Sequence, residues 1–355
     1  MRFNRKAALT VAVALTAVAF AASTPLLPPV AMAQTTRYGS PIPSGTTISA
    51  TGGQYGVYTV RLDGADLRRL DQTAYMRNHV HVKGTRMLFT EYTRDTDGNG
   101  RADEYDLDAS QTAIMNLDRT GYQALPKLGS YEIVPVWSPD GNSVLFASDR
   151  NNYKGYLDLF VHDLRTGTVR NLTNTWDAIE GDPHWLGTKI VFNRVQRDGT
   201  AKLWIMNQDG SGARQLTNPS FSSRSTGMYP FGDFDPKLSP DGKSVVFERH
   251  IDDNYTYAGM PVGNWDLYVV DVSSGRTRLL AGGAGVDVVP TWSPDGKTIA
   301  YWQVAPDHAS LFTVAAAGGT PKRVFAARPD LHAEMPDWYV EAGETRLVFS
   351  GFTPQ

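Results

Sequence analysis

Short apolar segments that end in an aromatic residue recur along the chain. They are Met87-Leu88-Phe89, Val144-Leu145-Phe146, Ile190-Val191-Phe192, Val245-Val246-Phe247, Ile299-Ala300-Tyr301 and Leu347-Val348-Phe349. A segment that alternates apolar and polar positions follows several of them, as in residues 267–272, and a short polar segment such as residues 214–217 comes next. Alternation with a period of two is typical of half-buried β-strands. The pattern therefore predicts an all-β chain built from six repeated units of about four strands.

A turn motif precedes most of these segments. Pro-x-Trp-Ser-Pro-Asp-Gly is complete at residues 135–141 and 290–296, while residues 236–242 keep the turn without the Trp. Pro presets φ for the second turn position, and Gly accepts the positive φ that the turn requires. We expect the turn to join the first two strands of each unit. Partial copies at Pro183-x-Trp185 and Pro336-x-Trp338 predict that the indoles fill the space between neighbouring sheets.

The spacing of the repeat predicts a propeller. Its five prolines lie roughly 46 to 54 residues apart, within the range of propeller blades. Residues 335–349 supply two strands of a last unit, and residues 57–70 have the pattern of a third and a fourth strand without the first two. The predicted fold is a six-bladed β-propeller of four-stranded antiparallel blades, whose last blade is closed by the N- and C-terminal strands.

The N-terminal residues have a different pattern. Arg2, Arg5 and Lys6 precede an uncharged apolar run over residues 7–22, and Ala31-Met32-Ala33 follows. Residues 1–33 are predicted to be a cleaved signal peptide; the alternative is a membrane anchor, although the run is short for a span. Residues 34–47 are predicted as a flexible linker and residues 48–355 as the propeller. We expect a periplasmic or secreted monomer with no membrane span after cleavage.

Charge and cysteine content narrow the classes of function. The chain has 34 Lys and Arg against 37 Asp and Glu, so its net charge gives no reason to expect a nucleic-acid partner. It has no cysteine, which excludes disulfides, thiolate metal sites and a cysteine nucleophile.

The repeated Pro-x-Trp-Ser-Pro-Asp-Gly turn, with the apolar strand that follows it and the Leu267-Tyr268-Val269-Val270-Asp271 strand, resembles the repeat of TolB-like propellers. The resemblance covers roughly residues 45–355 and implies the fold more strongly than a function, because the family includes partner-binding proteins, peptidase-linked propellers and polysaccharide lyases. The α/β domain that precedes the propeller in TolB has no counterpart here. A Gly-x-Ser-x-Gly nucleophile motif and a His-Glu-x-x-His metal motif are also absent from the sequence.

Residues 95–106 match the spacing of a calcium loop. Oxygen ligands are expected at alternate positions, with Gly100 at the sharp bend. The predicted ligands are Asp95, Asp97, Asn99, Arg101 through its backbone carbonyl, Asp103 and Asp106. The short Asp106 side chain at the last position predicts weak structural binding of Ca²⁺. The alternative is a polar turn without a metal.

A ring of carboxylates is predicted at one mouth of the channel. The position three residues before the repeated proline is acidic in four units, as Glu132, Glu180, Asp233 and Asp287. Such a ring would attract a cation or a basic peptide. Alternatively, each carboxylate accepts backbone hydrogen bonds from the next blade. Arg77 is at the corresponding position of the first unit, and the nearby His79 and His81 are interpreted as structural.

These features predict a binding scaffold for a protein or peptide partner in the cell envelope. One alternative is a metal-assisted lyase or hydrolase acting on an extracellular polymer, with His79, His81 or His332 beside the acidic mouth. Another is a carbohydrate-binding module, with polysaccharide bound by the aromatic residues of loops 218–232 and 250–264. Those aromatic residues could equally pack on each other.

Overall fold

The computed structural model describes residues 38–352 except residues 39, 43–54, 74, 97, 99–101, 103–105, 128, 130, 228, 258–259, 284 and 306–307. The predicted signal peptide lies outside the described residues. Of the predicted linker, Tyr38 and residues 40–42 are described, and Ser40 and Pro41 pair with Arg69 and Arg68 in a short strand interaction.

The structure is almost entirely β-sheet. The strands of the first half are β1 Ser40–Pro41, β2 Tyr55–Arg61, β3 Arg68–Thr73, β4 Arg77–Lys83, β5 Arg86–Tyr92, β6 Ser110–Asn116, β7 Gln123–Ala124, β8 Glu132–Trp137, β9 Ser143–Ser148, β10 Asp158–Asp163, β11 Val169–Asn171, β12 Ile179–Leu186 and β13 Lys189–Val195. The remaining strands are β14 Ala201–Asn207, β15 Arg214–Gln215, β16 Gly232–Leu238, β17 Ser244–Asp252, β18 Thr256–Tyr257, β19 Met260–Pro261, β20 Asn264–Asp271, β21 Thr277–Ala281, β22 Val286–Trp292, β23 Thr298–Ala305, β24 His308–Ala315, β25 Lys322–Phe325, β26 His332–Glu341 and β27 Glu344–Phe352. A single 3-10 turn, Leu107–Ala109, precedes β6. No helix of the described residues could cross a membrane.

The strands pair in antiparallel groups of four, which we call units. Unit 1 is β4 to β7, unit 2 is β8 to β11, unit 3 is β12 to β15, unit 4 is β16, β17, β20 and β21, unit 5 is β22 to β25, and unit 6 is β26, β27, β2 and β3. Units 3, 4 and 5 form one twelve-stranded sheet because single parallel bridges, Ala201 with Gly232 and Trp265 with Val286, join them. β18 and β19 form a separate hairpin.

The two ends of the chain meet in unit 6. β2 pairs with the C-terminal strand β27 from Tyr55 opposite Phe352 to Arg61 opposite Arg346. The first strands β4, β8, β12, β16, β22 and β26 contact one another in that cyclic order, and β26 contacts β4. The sheet of residues 55–73 is therefore completed by strands from the other end of the chain, as the sequence predicts.

Every first strand contains a bulge at the residue before the repeated proline or its equivalent. The bulge residues, all with φ between 48° and 56°, are His79, Val134, Asp182, Asp235, Val289 and Met335. The strand register shifts at each of them. Left-handed backbone is costly for residues other than glycine, so surrounding contacts must hold it. Val134 N donates to Thr90 Oγ1 of unit 1 at 3.2 Å, and Val289 N donates to Glu248 Oε2 of unit 4 at 2.6 Å.

The tryptophans of the repeat are buried between units, as predicted. Trp137, Trp185, Trp292 and Trp338 are at most 7% exposed. Trp292 Nε1 donates to the carbonyl of Lys237 in the preceding unit at 2.9 Å, and Trp338 Nε1 donates to the carbonyl of Thr291 at 3.1 Å. The Trp292 and Trp338 indoles thus combine apolar burial with a hydrogen bond from one unit to the next.

Candidate functional site at the mouth face

One face of the molecule collects the connections that carry the predicted sites. Neighbouring first strands contact each other at equivalent positions, as where Asp235 N donates to Asp182 Oδ2 at 3.4 Å. The first strands therefore run side by side in one direction and begin at the same face, which we call the mouth face. Because neighbouring strands within a unit are antiparallel, the connections from second to third strands also lie on this face. The Ser-Pro-Asp-Gly turns lie on the opposite face.

The four predicted carboxylates lie near the N-terminal ends of the first strands of units 2 to 5. Each is buried and has a side-chain partner in its own unit, which lies on the second strand in units 3 to 5 and just after the second strand in unit 2. The pairs are Glu132 with Arg150 Nη2, Glu180 with Arg194 Nε at 2.7 Å, Asp233 with Arg249 Nε at 2.5 Å, and Asp287 with Gln303 Nε2 at 2.8 Å. Unit 1 has the reverse arrangement, since Arg77 Nε donates to Glu91 Oε1 at 2.8 Å. Arginine therefore neutralises the carboxylate in units 2 to 4.

Unit 5 differs from its neighbours. Asp287 has glutamine as its cross-strand partner, and its pKa is raised to about 6, first by burial and then by the nearby Asp266, against the effect of the Gln303 hydrogen bond. Burial also raises the pKa of Glu180, to about 7, although Arg194 opposes the shift. Asp266 is on the third strand of unit 4 and accepts a hydrogen bond from Gly283 N at 3.0 Å. Asp287 and Asp266 thus bring negative charge to the part of the mouth between units 4 and 5.

The predicted calcium loop connects the second and third strands of unit 1 on the mouth face. Asp95 and Asp106 are described; Asp97, Asn99, Arg101 and Asp103 lie outside the described residues. Asp95 Oδ1 accepts a hydrogen bond from Gly98 N at 2.7 Å, and Asp106 Oδ1 accepts one from Thr96 Oγ1 at 2.7 Å and another from Thr96 N. The first and last predicted ligands are thereby held at the base of the loop. Among the described residues, no group of three His, Asp or Glu side chains is arranged to hold a metal ion.

A second polar group is fully buried where the first strands meet, and we call it the axial cluster. Its members, each no more than 1% exposed, are His79, His81, Asp182, His184, Asp235, Lys237, Glu248, Thr291 and Asp337. Lys237 Nζ donates to Asp235 Oδ1 at 2.7 Å, and Thr291 Oγ1 donates to Asp337 Oδ1 at 3.1 Å. His81 Nδ1 lies 3.0 Å from Asp337 Oδ2.

Burial controls the charge of the axial cluster. The pKa values of Asp182 and Glu248 are raised well above the ordinary range by burial and by the charge of Asp235. The pKa of His79 is lowered by burial and by His81 and Lys237. Neutral carboxyl groups and a neutral histidine leave Asp235 and Lys237 as a charge pair, so the cluster can be buried without a large net charge.

Comparisons with known proteins agree with this architecture. A family model described as the TolB β-propeller domain matches residues 103–262, which include the bulged first strands of units 2 to 4. Over this segment the chain is similar to TolB-like propellers.

The chain is also similar to proteins of different lengths. An uncharacterized protein of Agrobacterium fabrum is 26% identical over 208 residues, 56% of this chain and 64% of that protein. The Tol-Pal system protein TolB of Anaeromyxobacter dehalogenans is 27% identical over 168 residues, 46% of this chain and 35% of TolB. The matched segment therefore spans about a third of that TolB. The solved structure of a putative TolB from Agrobacterium tumefaciens is similar in fold, with a TM-score of 0.60 and 13% identity, over 85% of this chain and 99% of that one.

The described aromatic residues of loops 218–232 and 250–264 pack mainly on each other and on Trp265. Tyr229 and Phe231 are buried, and the Tyr229 ring packs edge-on against Trp265 with a centroid distance of 5.5 Å. The Phe221 and Phe231 rings lie 5.1 Å apart. The loop aromatics were expected either to bind polysaccharide or to pack on each other, and mutual packing accounts for their described aromatic contacts.

The arginines of the mouth could have been found from the sequence. Arg194 and Arg249 each follow the strand-ending aromatic by two residues, and their guanidinium groups lie 5.5 Å from the Phe192 and Phe247 rings. A basic residue two positions after the aromatic is thus the signal for a neutralised carboxylate in units 3 and 4, whereas Arg150 of unit 2 follows Phe146 by four residues. The third-strand Asp266 has no such repeated signal, and its proximity to Asp287 depends on the packing of unit 4 against unit 5.

Proposed function

We propose that this chain is an exported six-bladed TolB-like β-propeller that binds a protein or peptide partner in the cell envelope. The partner binds at the mouth face and carries a basic side chain that pairs with Asp287. The observation that carries the proposal is that Asp287 and Asp266 lie together where arginine neutralises the equivalent carboxylates of units 2 to 4.

Six blades are supported by the repeated bulges and by the contacts of the first strands. Each unit has one bulge residue with positive φ on its first strand. The first strands contact each other in one closed order, and the pairing of β2 with β27 joins the ends of the chain. A closed ring leaves few unpaired sheet edges, which suits a cysteine-free protein outside the cytoplasm.

The relative named as a protein of the Tol-Pal system supports testing partner binding first. The chain matches only part of that relative, so the partner has to be identified directly. The basic run and apolar segment of residues 1–33 support export. Sequencing the N-terminus of the protein recovered outside the cytoplasm tests this; a mature chain that still begins at Met1 would contradict cleavage.

Partner binding can be tested by affinity capture followed by a quantitative comparison. The immobilised protein is incubated with envelope extract of its source organism, and retained proteins are purified for titration. Asp287→Asn should weaken the association about tenfold, because a buried ion pair is lost at the mouth. Asp118→Asn, in the turn between the third and fourth strands of unit 1, is the matched control and should leave the affinity unchanged.

Two results would contradict the proposal. One is that no protein is retained at any ionic strength. The other is that a retained partner binds the wild-type protein and Asp287→Asn equally well. Because the pKa of Asp287 is about 6, the affinity for the wild-type protein should also fall as the pH drops below about 6, where the carboxylate becomes protonated.

The same proposal includes weak structural Ca²⁺ binding by Asp95, Asp97, Asn99, Asp103, Asp106 and the carbonyl of Arg101. The hydrogen bonds of Thr96 and Gly98 to the two terminal carboxylates support a loop that is already closed at its base. Adding Ca²⁺ at about 1 mM should raise the midpoint of thermal unfolding, with a dissociation constant of about 10⁻⁴ to 10⁻³ M. Asp95→Asn should reduce this shift, whereas Asp118→Asn should not. An equal shift in both variants would contradict the proposed site.

A further inference from the structure

Among the described residues, the most exposed aromatic side chains lie on two connections of the mouth face. Tyr153, in the connection between β9 and β10, is 72% exposed, and Trp176, between β11 and β12, is 70% exposed. Asn152 Nδ2 donates to the carbonyl of Thr175 at 2.9 Å, which ties the two connections together. Single exposed aromatic residues are common, but two on adjoining connections form a surface. We call residues 149–157 and 173–178 the aromatic platform.

Internal hydrogen bonds hold both parts of the platform in place. Asp149 Oδ2 accepts a hydrogen bond from Gly155 N at 3.1 Å, and Asp158 Oδ1 accepts one from Thr175 N at 2.8 Å. The Tyr153 and Tyr156 rings pack edge-on, with a centroid distance of 6.3 Å. A surface ordered in this way loses little conformational entropy on binding.

The exposed charged groups at the platform are paired, whereas the buried Asp149 accepts backbone hydrogen bonds. Lys154 Nζ lies 2.6 Å from Asp108 Oδ2, and Arg197 Nε lies 3.2 Å from Asp177 Oδ2. The Arg197 guanidinium also lies 4.8 Å from the centre of the Trp176 ring. Each exposed charge is balanced by its partner, so the exposed surface of the platform offers an anionic ligand no net electrostatic attraction. Its chemistry favours an uncharged ligand.

The polar groups beside the rings suit hydroxyl groups. Asn151 and Asn174 are exposed, each at a positive φ that presents the residue at the tip of its turn. An amide both donates and accepts hydrogen bonds, as a sugar hydroxyl does. The C–H face of a pyranose ring can stack on the electron-rich face of an indole or phenol. Protein hot spots, in contrast, are usually desolvated pockets, whereas these two rings lie open on turns.

We propose that the aromatic platform binds a neutral saccharide chain, with one sugar ring stacked on Trp176 and another on Tyr153. This binding surface is separate from Asp287 and goes beyond the proposed partner binding. Asn151 and Asn174 supply hydrogen bonds to the hydroxyl groups of the bound chain.

Calorimetric titration with neutral hexasaccharides tests the proposal, using cellohexaose, xylohexaose, mannohexaose and chitohexaose as probes. At least one should bind the full-length protein. Trp176→Ala and Tyr153→Ala should each lower the association constant about tenfold or more, while Trp176→Phe should keep part of the affinity. Leu279→Ala, which removes another exposed apolar side chain on the fourth strand of unit 4, is the control and should bind like the wild-type protein.

Tryptophan fluorescence supplies a second readout. Trp176 is the one exposed indole among the eight in the chain, so saccharide binding should shield it from acrylamide quenching. Unchanged thermal unfolding midpoints would show that the variants remain folded.

Binding of none of the four saccharides would overturn the proposal, as would binding that Trp176→Ala leaves unchanged. Loss of protein capture in Trp176→Ala, without saccharide binding by the wild-type protein, would assign the platform to the partner instead. Asp287→Asn should not affect saccharide titrations, so failure of this proposal and failure of partner binding can be told apart.

Discussion

At the scale of single residues, the same position in different units serves different purposes. The mouth position is a carboxylate neutralised by arginine in units 2 to 4, an arginine held by Glu91 in unit 1, and a carboxylate beside glutamine in unit 5. Neutralised pairs at buried positions contribute to structure, whereas Asp287 keeps a charge that can be neutralised by a ligand. Asp287 is proposed as the binding position because its cross-strand partner is glutamine, whereas arginine pairs with the equivalent carboxylates of units 2 to 4.

Asp287→Asn should stabilise the protein at neutral pH. The folded-state pKa of about 6 lies above the ordinary value of 3.8, so ionisation in the folded state is disfavoured. Above pH 6 the carboxylate is charged in both states, and its burial costs on the order of 3 kcal/mol. This cost decreases as the pH falls from 6 to 3.8 and is absent below that range.

Chemical unfolding at pH 7.5 and pH 4 provides the measurement. Asp287→Asn should be more stable than the wild-type protein at pH 7.5, and the difference should nearly vanish at pH 4. Asp118→Asn should instead lose stability at pH 7.5, because hydrogen bonds from Thr120 lower the pKa of Asp118. If the difference in unfolding free energy between Asp287→Asn and the wild-type protein did not change with pH, burial would not raise the pKa of Asp287.

Trp292→Phe should destabilise the protein by about 1–3 kcal/mol. The substitution removes both indole volume from a buried site and the hydrogen bond to the Lys237 carbonyl. Trp176→Phe, at an exposed position, should change the free energy of unfolding by less than about 0.5 kcal/mol. If Trp292→Phe and Trp176→Phe changed the free energy of unfolding in urea equally, the account of Trp292 as a stabilising contact between units would be contradicted.

At the scale of the elements, the bulged first strand connects each unit to its neighbour. The bulge turns a backbone N–H away from its own sheet, and in units 2 and 5 a side chain of the preceding unit accepts it. The energetic cost of the left-handed backbone is therefore offset by a hydrogen bond between units.

Thr90→Val should remove the acceptor for Val134 N and leave that buried donor unsatisfied. The expected loss is about 1–3 kcal/mol in the free energy of unfolding, with little change in side-chain volume. Thr188→Val, in an exposed turn of unit 3, is the matched control and should have little effect. A similarly small effect of Thr90→Val would mean that this bond does not hold the bulge.

The local signals in the sequence predict the elements better than the site. Ser-Pro-Asp-Gly turns and strand-ending aromatics act over a few residues, so the strands and buried tryptophans follow from them. The bulges could not be predicted in this way, because a residue before proline ordinarily prefers an extended backbone. The axial cluster depends on those bulges, and the pair of Asp266 and Asp287 depends on contacts between units.

At the scale of the whole molecule, the ring separates two kinds of surface. The mouth face carries the Asp287 region, the aromatic platform and the predicted calcium loop. The opposite face carries the repeated turns, whose Asp side chains are occupied in the turns themselves, as with Asp295 Oδ1, which accepts hydrogen bonds from Ser293 Oγ and Lys297 N. Differences between the units are therefore concentrated on the mouth face, while the repeated turns dominate the other face.

Hydrogen–deuterium exchange of the protein with and without its captured partner tests this division most directly. Binding at the mouth should slow exchange of amides in residues 282–287 and in adjoining mouth-face connections. Exchange in the turns at residues 138–142, 239–243 and 293–297 should remain unchanged. Protection confined to those turns, with none at residues 282–287, would contradict the proposed mode of binding.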